Sequence, residues 1–171
     1  PLILDENIKV GNSLISGTEE ELKKYFGEKW QDKRPFNWEE EFPDIMQRGG
    51  FDVVVGNPPY INSESMVNSE QKDLREAILK TYTMAKGNWD IYIAFFELGF
   101  KVMRENSVLS FITPDKWISK PFGDELRRGT IDNIFAILKA GREIFEGSNV
   151  DSIISFFSKG HYQTLKIFNF E

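Results

Sequence analysis

The run Gly50-Phe51-Asp52-Val53-Val54-Val55-Gly56-Asn57-Pro58-Pro59-Tyr60 constrains the fold more than any other part of the chain. Val53 to Val55 is β-branched throughout and is closed by glycine on both sides. Such a run predicts a buried central strand of an α/β sheet, because strands covered on both faces are continuously apolar. Loops at the carboxyl ends of these strands are where open α/β sheets bind ligands. Two prolines in series fix φ twice and remove two N–H donors, so the loop is stiff and its carbonyls point outward. An amide, a rigid carbonyl and an aromatic ring thus gather at the mouth of an expected pocket, a set suited to holding a planar amine. The plain alternative is a rigid turn, with Asn57 as a turn residue and Tyr60 as a packing group.

Other elements follow from local signals. Ile8-Lys9-Val10 predicts a short strand running into Gly11-Asn12-Ser13-Leu14. Thr18 with Glu21 three residues on is a capping box, opening a helix to about Trp30. A short helix is expected around Glu39 to Gln47, another over Glu70 to Tyr82, and a strongly apolar one from Asp90 to Met103. Strands are expected over Ser107–Ile112, within Ile131–Leu138, over Val150–Phe157 and over Thr164–Phe170, with a helix at Phe122–Arg128. Strands alternating with helices before a paired antiparallel finish predict a Rossmann-like mixed sheet. The excursion over residues 61–87 lies just past the diproline loop, where a flap over a substrate is expected.

Composition excludes several chemistries. The chain of 171 residues has the length of one domain and contains no cysteine. Disulfides, thiolate metal sites and cysteine nucleophiles are therefore absent, and with them methylation at cytosine C5, which needs cysteine attack on the ring. The single histidine, His161, offers no metal cluster. No run approaches the roughly 18 apolar residues of a membrane span, so no membrane partner is expected and the cytoplasm is the expected location. A net charge of −6 weighs against extensive phosphate binding. Its acidic excess is concentrated before Asn57, in Glu19-Glu20-Glu21 and Glu39-Glu40-Glu41, which are expected to form solvated helix faces.

Gly56-Asn57-Pro58-Pro59-Tyr60 after a hydrophobic strand resembles the catalytic motif of S-adenosylmethionine-dependent amino-methyltransferases. With Phe36-Asn37-Trp38, Phe42-Pro43 and Gly50-Phe51-Asp52, the wider stretch resembles the N6-adenine DNA methyltransferases of restriction–modification systems, type IIG and type I-like, particularly those fused to an endonuclease. The resemblance implies a Rossmann-like methyltransferase fold: α/β, a mixed, mostly parallel sheet with helices on both faces. It implies S-adenosyl-L-methionine as cofactor and double-stranded DNA as partner. It also implies that residues 1–171 are a partial catalytic domain lacking its N-terminal half, since the family's glycine-rich loop and its ribose-binding acid have no counterpart here. The chain opens on Pro1, consistent with a piece of a longer protein. A target-recognition domain and a fused endonuclease are the expected missing partners, and the fragment alone is expected to be inactive.

The resemblance assigns roles residue by residue. Asn57, Pro58, Pro59 and Tyr60 are the catalytic set, with Asn57 also near the cofactor and Tyr60 stacking on a flipped adenine. Gly11-Asn12-Ser13-Leu14 lies where the family commonly has Gly-Asp-Ser-Leu, which makes Asn12 and Ser13 cofactor-binding candidates; a simple turn is the alternative. Asn88-Trp89-Asp90 resembles the family's next helix start and adds Asp90 to the cofactor set, or makes it only an N-cap. Phe145 resembles a second aromatic against the base, or is plain core. Lys116, Lys120, Arg127 and Arg128 are either phosphate contacts or solvated helix charges. Two rival readings are a protein glutamine methyltransferase, which shares the Asn-Pro-Pro-Tyr motif, and a non-catalytic scaffold or DNA-contacting module.

Overall fold

A computed structural model describes residues 4–67, 69–141, 150–160 and 164–169. The elements in chain order are α1 (Leu4–Asn7), α2 (Glu19–Phe26), α3 (Trp38–Glu41), α4 (Pro43–Gln47), β1 (Phe51–Gly56), α5 (Ser63–Val67), α6 (Lys72–Thr81) and α7 (Tyr92–Val102). They continue with β2 (Met103–Pro114), α8 (Asp124–Thr130), β3 (Ile134–Gly141), β4 (Ser152–Ser158) and β5 (Lys166–Asn169). The strands form one mixed sheet in the order β1-β2-β4-β3-β5. β1 runs parallel to β2 and β3 to β5, while β4 is antiparallel to both its neighbours. β4 alone therefore runs against the other four, giving the expected mixed sheet of mostly one direction.

The alternation along the strands decides which face is covered. Leu109, Phe111 and Thr113 of β2 and Ile153, Ser155 and Phe157 of β4 point to one face and are buried. Helix α7 lies on that face, and Phe96 is its centre, with ring centroids 5.2 Å from Phe111, 5.6 Å from Trp117 and 5.5 Å from Phe157. On the opposite face Ile112, Ile154 and Phe156 are only half-buried, and Val53 and Val55 are 58% and 75% exposed.

That exposure corrects one expectation. β1 is not a central strand among the described residues: it pairs with β2 alone and stands at the sheet edge. Its run of valines has the composition of a strand buried on both faces, but only Val54 packs against the core. A second correction concerns Ile8–Val10, which forms no strand. Those residues follow α1 as irregular chain, and the only pairing nearby is an isolated bridge between Asn12 and Pro35.

Most of the other expected helices and strands are present. Thr18 caps α2 with both arms of the capping box, Glu21 N–H donating to Thr18 Oγ1 and Thr18 N–H to Glu21 Oε2 at 2.9 Å. The helix predicted to run to Trp30 ends at Phe26 and tightens into a 3-10 segment over Gly27–Lys33. Gly27 terminates α2 with φ +69°, a backbone conformation that glycine adopts at small cost because it has no Cβ. Among the described residues no helix is long and apolar enough to cross a membrane, and no group of acidic or histidine side chains is placed to hold a metal. Phe145 and His161 lie outside the described residues.

Candidate active site

The segments before β1 build its support. Gly11-Asn12-Ser13-Leu14 is a turn: Asn12 Oδ1 accepts from Leu14 N–H at 3.2 Å and Asn12 O from Ile15 N–H at 3.0 Å. Gly11 is needed there because a Cβ would come 2.6 Å from the Phe36 ring. Trp38 Nε1 donates to Ser13 O at 3.3 Å, and Tyr82 hydroxyl donates to Leu14 O at 3.1 Å. Trp38 packs edge-on against Phe36 at 5.0 Å, stacks on Phe42 at 6.0 Å, and meets Phe51 edge-on at 5.8 Å. The four rings fasten the Asn12 turn to the first residue of β1. Such edge and offset-stacked pairs each add about 0.5–1.5 kcal/mol beyond their buried area.

At the other end of β1, Gly56 pairs in register with Phe111 of β2. The loop then turns outward: Asn57 and Pro59 are exposed, Pro58 is buried and Tyr60 is half-buried. Asn57 and both prolines line a cavity of about 360 Å³ with Ser13, Trp38 and Phe95. The walls are largely apolar, with Gly99 of α7 forming part of the floor. The Asn57 carboxamide has no hydrogen-bond partner among the described residues, so both its oxygen and its NH2 are available at the cavity rim.

Tyr60 faces away from solvent at its tip. Its hydroxyl donates to Ile112 O at 3.4 Å, and its ring meets Tyr92 edge-on at 6.4 Å. Burial pushes the Tyr60 phenol above the ordinary tyrosine value, opposed by a hydrogen bond with Ser152. The backbone after Tyr60 pairs with the residues ahead of α7: Ile91 N–H donates to Ile61 O and Ser63 N–H to Trp89 O, both at 2.8 Å. Asp90 does not cap α7. Its Oδ2 accepts from the Tyr92 hydroxyl at 3.0 Å, and the first residue position of the helix has no side-chain cap. Burial, then the charge of Asp90, push the Tyr92 phenol far up.

The Eco57I restriction-modification methylase family matches residues 3–160 of the chain. The protein belongs to that family. It is 27% identical over 168 residues to the type II restriction enzyme and methyltransferase RM.Eco57I of Escherichia coli, which covers 96% of this chain and 16% of that protein. It is 35% identical over 79 residues to the type II methyltransferase M.PaeR7I of Pseudomonas aeruginosa, covering 46% of this chain and 13% of that one. The chain thus spans about a sixth of the length of the first of these relatives. Among solved structures, its fold is similar to that of a Listeria monocytogenes protein described as a class I S-adenosylmethionine-dependent methyltransferase. The TM-score is 0.54 at 17% identity, over 70% of this chain and 36% of that one.

Within this member of the Eco57I methylase family the candidate residues divide. Ser13 and Asn57 share the 360 Å³ cavity, and Asn12 stands one residue away with its oxygen committed to the turn. Asp90 lines a different, larger cleft of about 800 Å³. Tyr60 links the two through Tyr92. Sequence reasoning did not single out Phe95, Leu98, Gly99 or Phe111 as cavity walls. A glycine in the middle of an apolar helix was the available signal, since Gly is unfavourable there unless something packs close. Arg127, a candidate phosphate contact, turns inward: it pairs with Asp124 and donates to the carbonyl oxygens of Trp117 and Lys120.

Proposed function

We propose that the protein is the catalytic portion of a DNA adenine-N6 methyltransferase of a type II restriction–modification enzyme, acting on an adenine flipped out of duplex DNA. The observation that carries this reading is the Asn57 carboxamide, exposed and unengaged among the described residues at the rim of an apolar cavity, on a diproline loop at the carboxyl end of β1. An exocyclic adenine amine is a weak nucleophile because its lone pair is delocalised into the ring. Asn57 Oδ1 and the Pro58 carbonyl accept its two N–H bonds and localise that pair on nitrogen. An amide takes no proton at neutral pH, so Asn57 positions and polarises, and the surplus proton would pass from the methylated nitrogen to solvent. Tyr60 supplies a face for the extruded base, which offsets part of the few kcal/mol of unstacking.

S-adenosylmethionine supplies, when bound, an electrophilic methyl on a sulfonium. Ser13, Asn57 and the apolar walls suit its adenine and methyl ends, but the residues lining this cavity include no carboxylate for a ribose and no glycine-rich loop for an amino-acid portion. The edge of β1 that is unpaired among the described residues and the exposed Val53 and Val55 support a sheet that continues into further polypeptide, which would carry those missing groups. Membership of a restriction–modification methylase family speaks against the glutamine-methyltransferase alternative.

Two measurements test the reading. With the full-length protein and tritiated S-adenosylmethionine, label is expected on adenine of duplex DNA and to fall about 10²–10³-fold in Asn57→Ala, the scale on which one preorganised polar group acts. Label on cytosine N4, or on no DNA, sinks the assignment. In calorimetry, residues 1–171 alone are expected not to bind S-adenosylmethionine; submicromolar affinity would show that the cofactor site is whole without further chain.

A further inference from the structure

We propose that the 800 Å³ cleft beside the diproline loop holds the phosphodiester backbone of the DNA strand carrying the target base, with Lys116 and Lys120 as its cationic contacts. The proposal rests on the reading above and names the groups that grip the substrate next to the reacting nucleotide. The cleft lies between the segment that follows Tyr60 and the loop joining β2 to α8, and its walls include Asn62, Asn88, Asp90, Lys116, Lys120 and Phe122.

Its charges are unevenly paired. Glu125 is shared by Lys86 at 3.5 Å and Arg128 at 3.9 Å, Asp124 is held by Arg127, and Asp90 accepts from Tyr92. Each carboxylate lining the cleft thus has a partner, a cation for Glu125 and Asp124 and a neutral phenol for Asp90, whose charge stays in the cleft. Lys116 and Lys120 are exposed and have no carboxylate partner among the described residues. In a chain of net charge −6 this is a local surplus of positive charge. The neutral groups have the same polarity. Asn62 Oδ1 accepts from Glu64 N–H at 2.8 Å and Asn88 Oδ1 from Ser63 Oγ at 3.4 Å, so both side chains keep their NH2 donors for a ligand. Two ammonium groups and two amide donors call for a ligand rich in acceptor oxygens.

The lysines stand on a stiff platform. Lys120 N–H donates to Lys116 O at 2.9 Å, which sets the two side chains one helical turn apart on the same side. Trp117 between them is buried, with Nε1 donating to Thr113 Oγ1 at 3.1 Å. Arg127 ties the Trp117 and Lys120 carbonyls together from below. Gly123 closes the loop so tightly that a Cβ there would collide with Trp117 O. The platform also has a place relative to the reaction: Tyr60 meets Tyr92, and Tyr92 meets Phe122 in the cleft wall, each at 6.4 Å. A nucleotide swings out about its own backbone, so the phosphates that must be held are those beside the base on Tyr60.

The test is the salt dependence of duplex-DNA binding by the full-length protein carrying Lys116→Gln and Lys120→Gln. Each lost phosphate contact lowers the slope of log K against log salt by about 0.9, so a drop of about 2 is expected. Restoration is expected in Lys116→Arg, Lys120→Arg, and no change in a Lys24→Gln, Lys29→Gln control, whose positions lie in α2 and the 3-10 segment after it and do not line the cleft. If wild type methylates adenine and the double variant keeps its slope, the cleft assignment fails while the proposed function stands. If the slope drops but wild type transfers no methyl to DNA, the function fails and the cleft remains a DNA site. A lower melting temperature with an unchanged slope assigns the lysines to an acidic segment of the protein itself, which overturns the proposal.

Discussion

Gly56 lies flat against the ring of Phe111, its register partner on β2: a Cβ at position 56 would sit 2.9 Å from Phe111 Cε1. The glycine before Asn57 is thus demanded by close approach, because its φ is not in the left-handed region. Gly56→Ala must displace either the ring or the start of the diproline loop. Misplacing a positioning group by about 1 Å can cost about 100-fold in rate. We expect Gly56→Ala to fold with only a modest loss of stability and to lower methyl transfer by about 10–100-fold. A variant with wild-type rate would show that the loop is not held by this contact.

A similar contact sets the distance between α7 and the sheet. A Cβ at Gly99 would lie 2.7 Å from Leu109 Cδ1 and 3.4 Å from Phe111 Cζ. By helix propensity alone Gly99→Ala would gain about 1 kcal/mol. Overpacking of a filled core costs typically 1–3 kcal/mol. The crowding is expected to win, leaving Gly99→Ala less stable by roughly 1 kcal/mol in urea unfolding, and a stabilised variant would refute the close approach.

The aromatic cluster ahead of β1 makes a separate prediction. Trp38 joins Phe36, Phe42 and Phe51 and anchors Ser13 through its indole N–H. Trp38→Ala is expected to cost roughly 2–3 kcal/mol, at the low end for a large aromatic because Trp38 is only partly buried. Trp38→Phe keeps most of the packing and loses the bond to Ser13 O, so it should recover more than half of that loss. Equal losses in the two variants would assign the stabilisation to the hydrogen bond instead.

Much of this arrangement was legible in local signals. The capping box at Thr18, the apolar helix expected over 90–103 and found over 92–102, and the strands at Ser107, Val150 and Thr164 all rest on periodicity or capping, which short-range physics decides. Ile8–Val10 makes no strand because three β-prone residues need a neighbouring strand to pair with, and among the described residues they pair with none. Val53–Val55 has the composition of a central strand, yet among the described residues it pairs with β2 alone, because composition reports what a strand can pack against and not where it stands in the sheet. Within the site, the exposed Asn57 follows from the two prolines after it. The partner of Asp90 does not follow from the sequence, because an acid ahead of a helix reads as a cap until the hydroxyl of Tyr92 is seen to reach it.

Two buried phenols give the fold an alkaline limit. Tyr82 and Tyr92 are 5% and 0% exposed, and burial, reinforced by the charges of Glu97 and Asp90 respectively, pushes both well above the ordinary value of 10.0. Folded protein therefore keeps both protons at a pH where the unfolded chain releases them. Their contribution is fully present below about pH 10 and declines as pH rises beyond it, by up to about 1.4 kcal/mol per pH unit for each phenol. The urea midpoint is expected to be level from pH 8 to 9.5 as far as these groups determine it, and to fall steeply by pH 11. Tyrosinate absorbance should show the same coupling, with two of the five tyrosines ionising only in step with unfolding. In Tyr92→Phe the alkaline fall should be shallower, because one of the two proton-linked groups is gone. A wild-type titration in which all five phenols ionise before the structure is lost would contradict the burial of this pair.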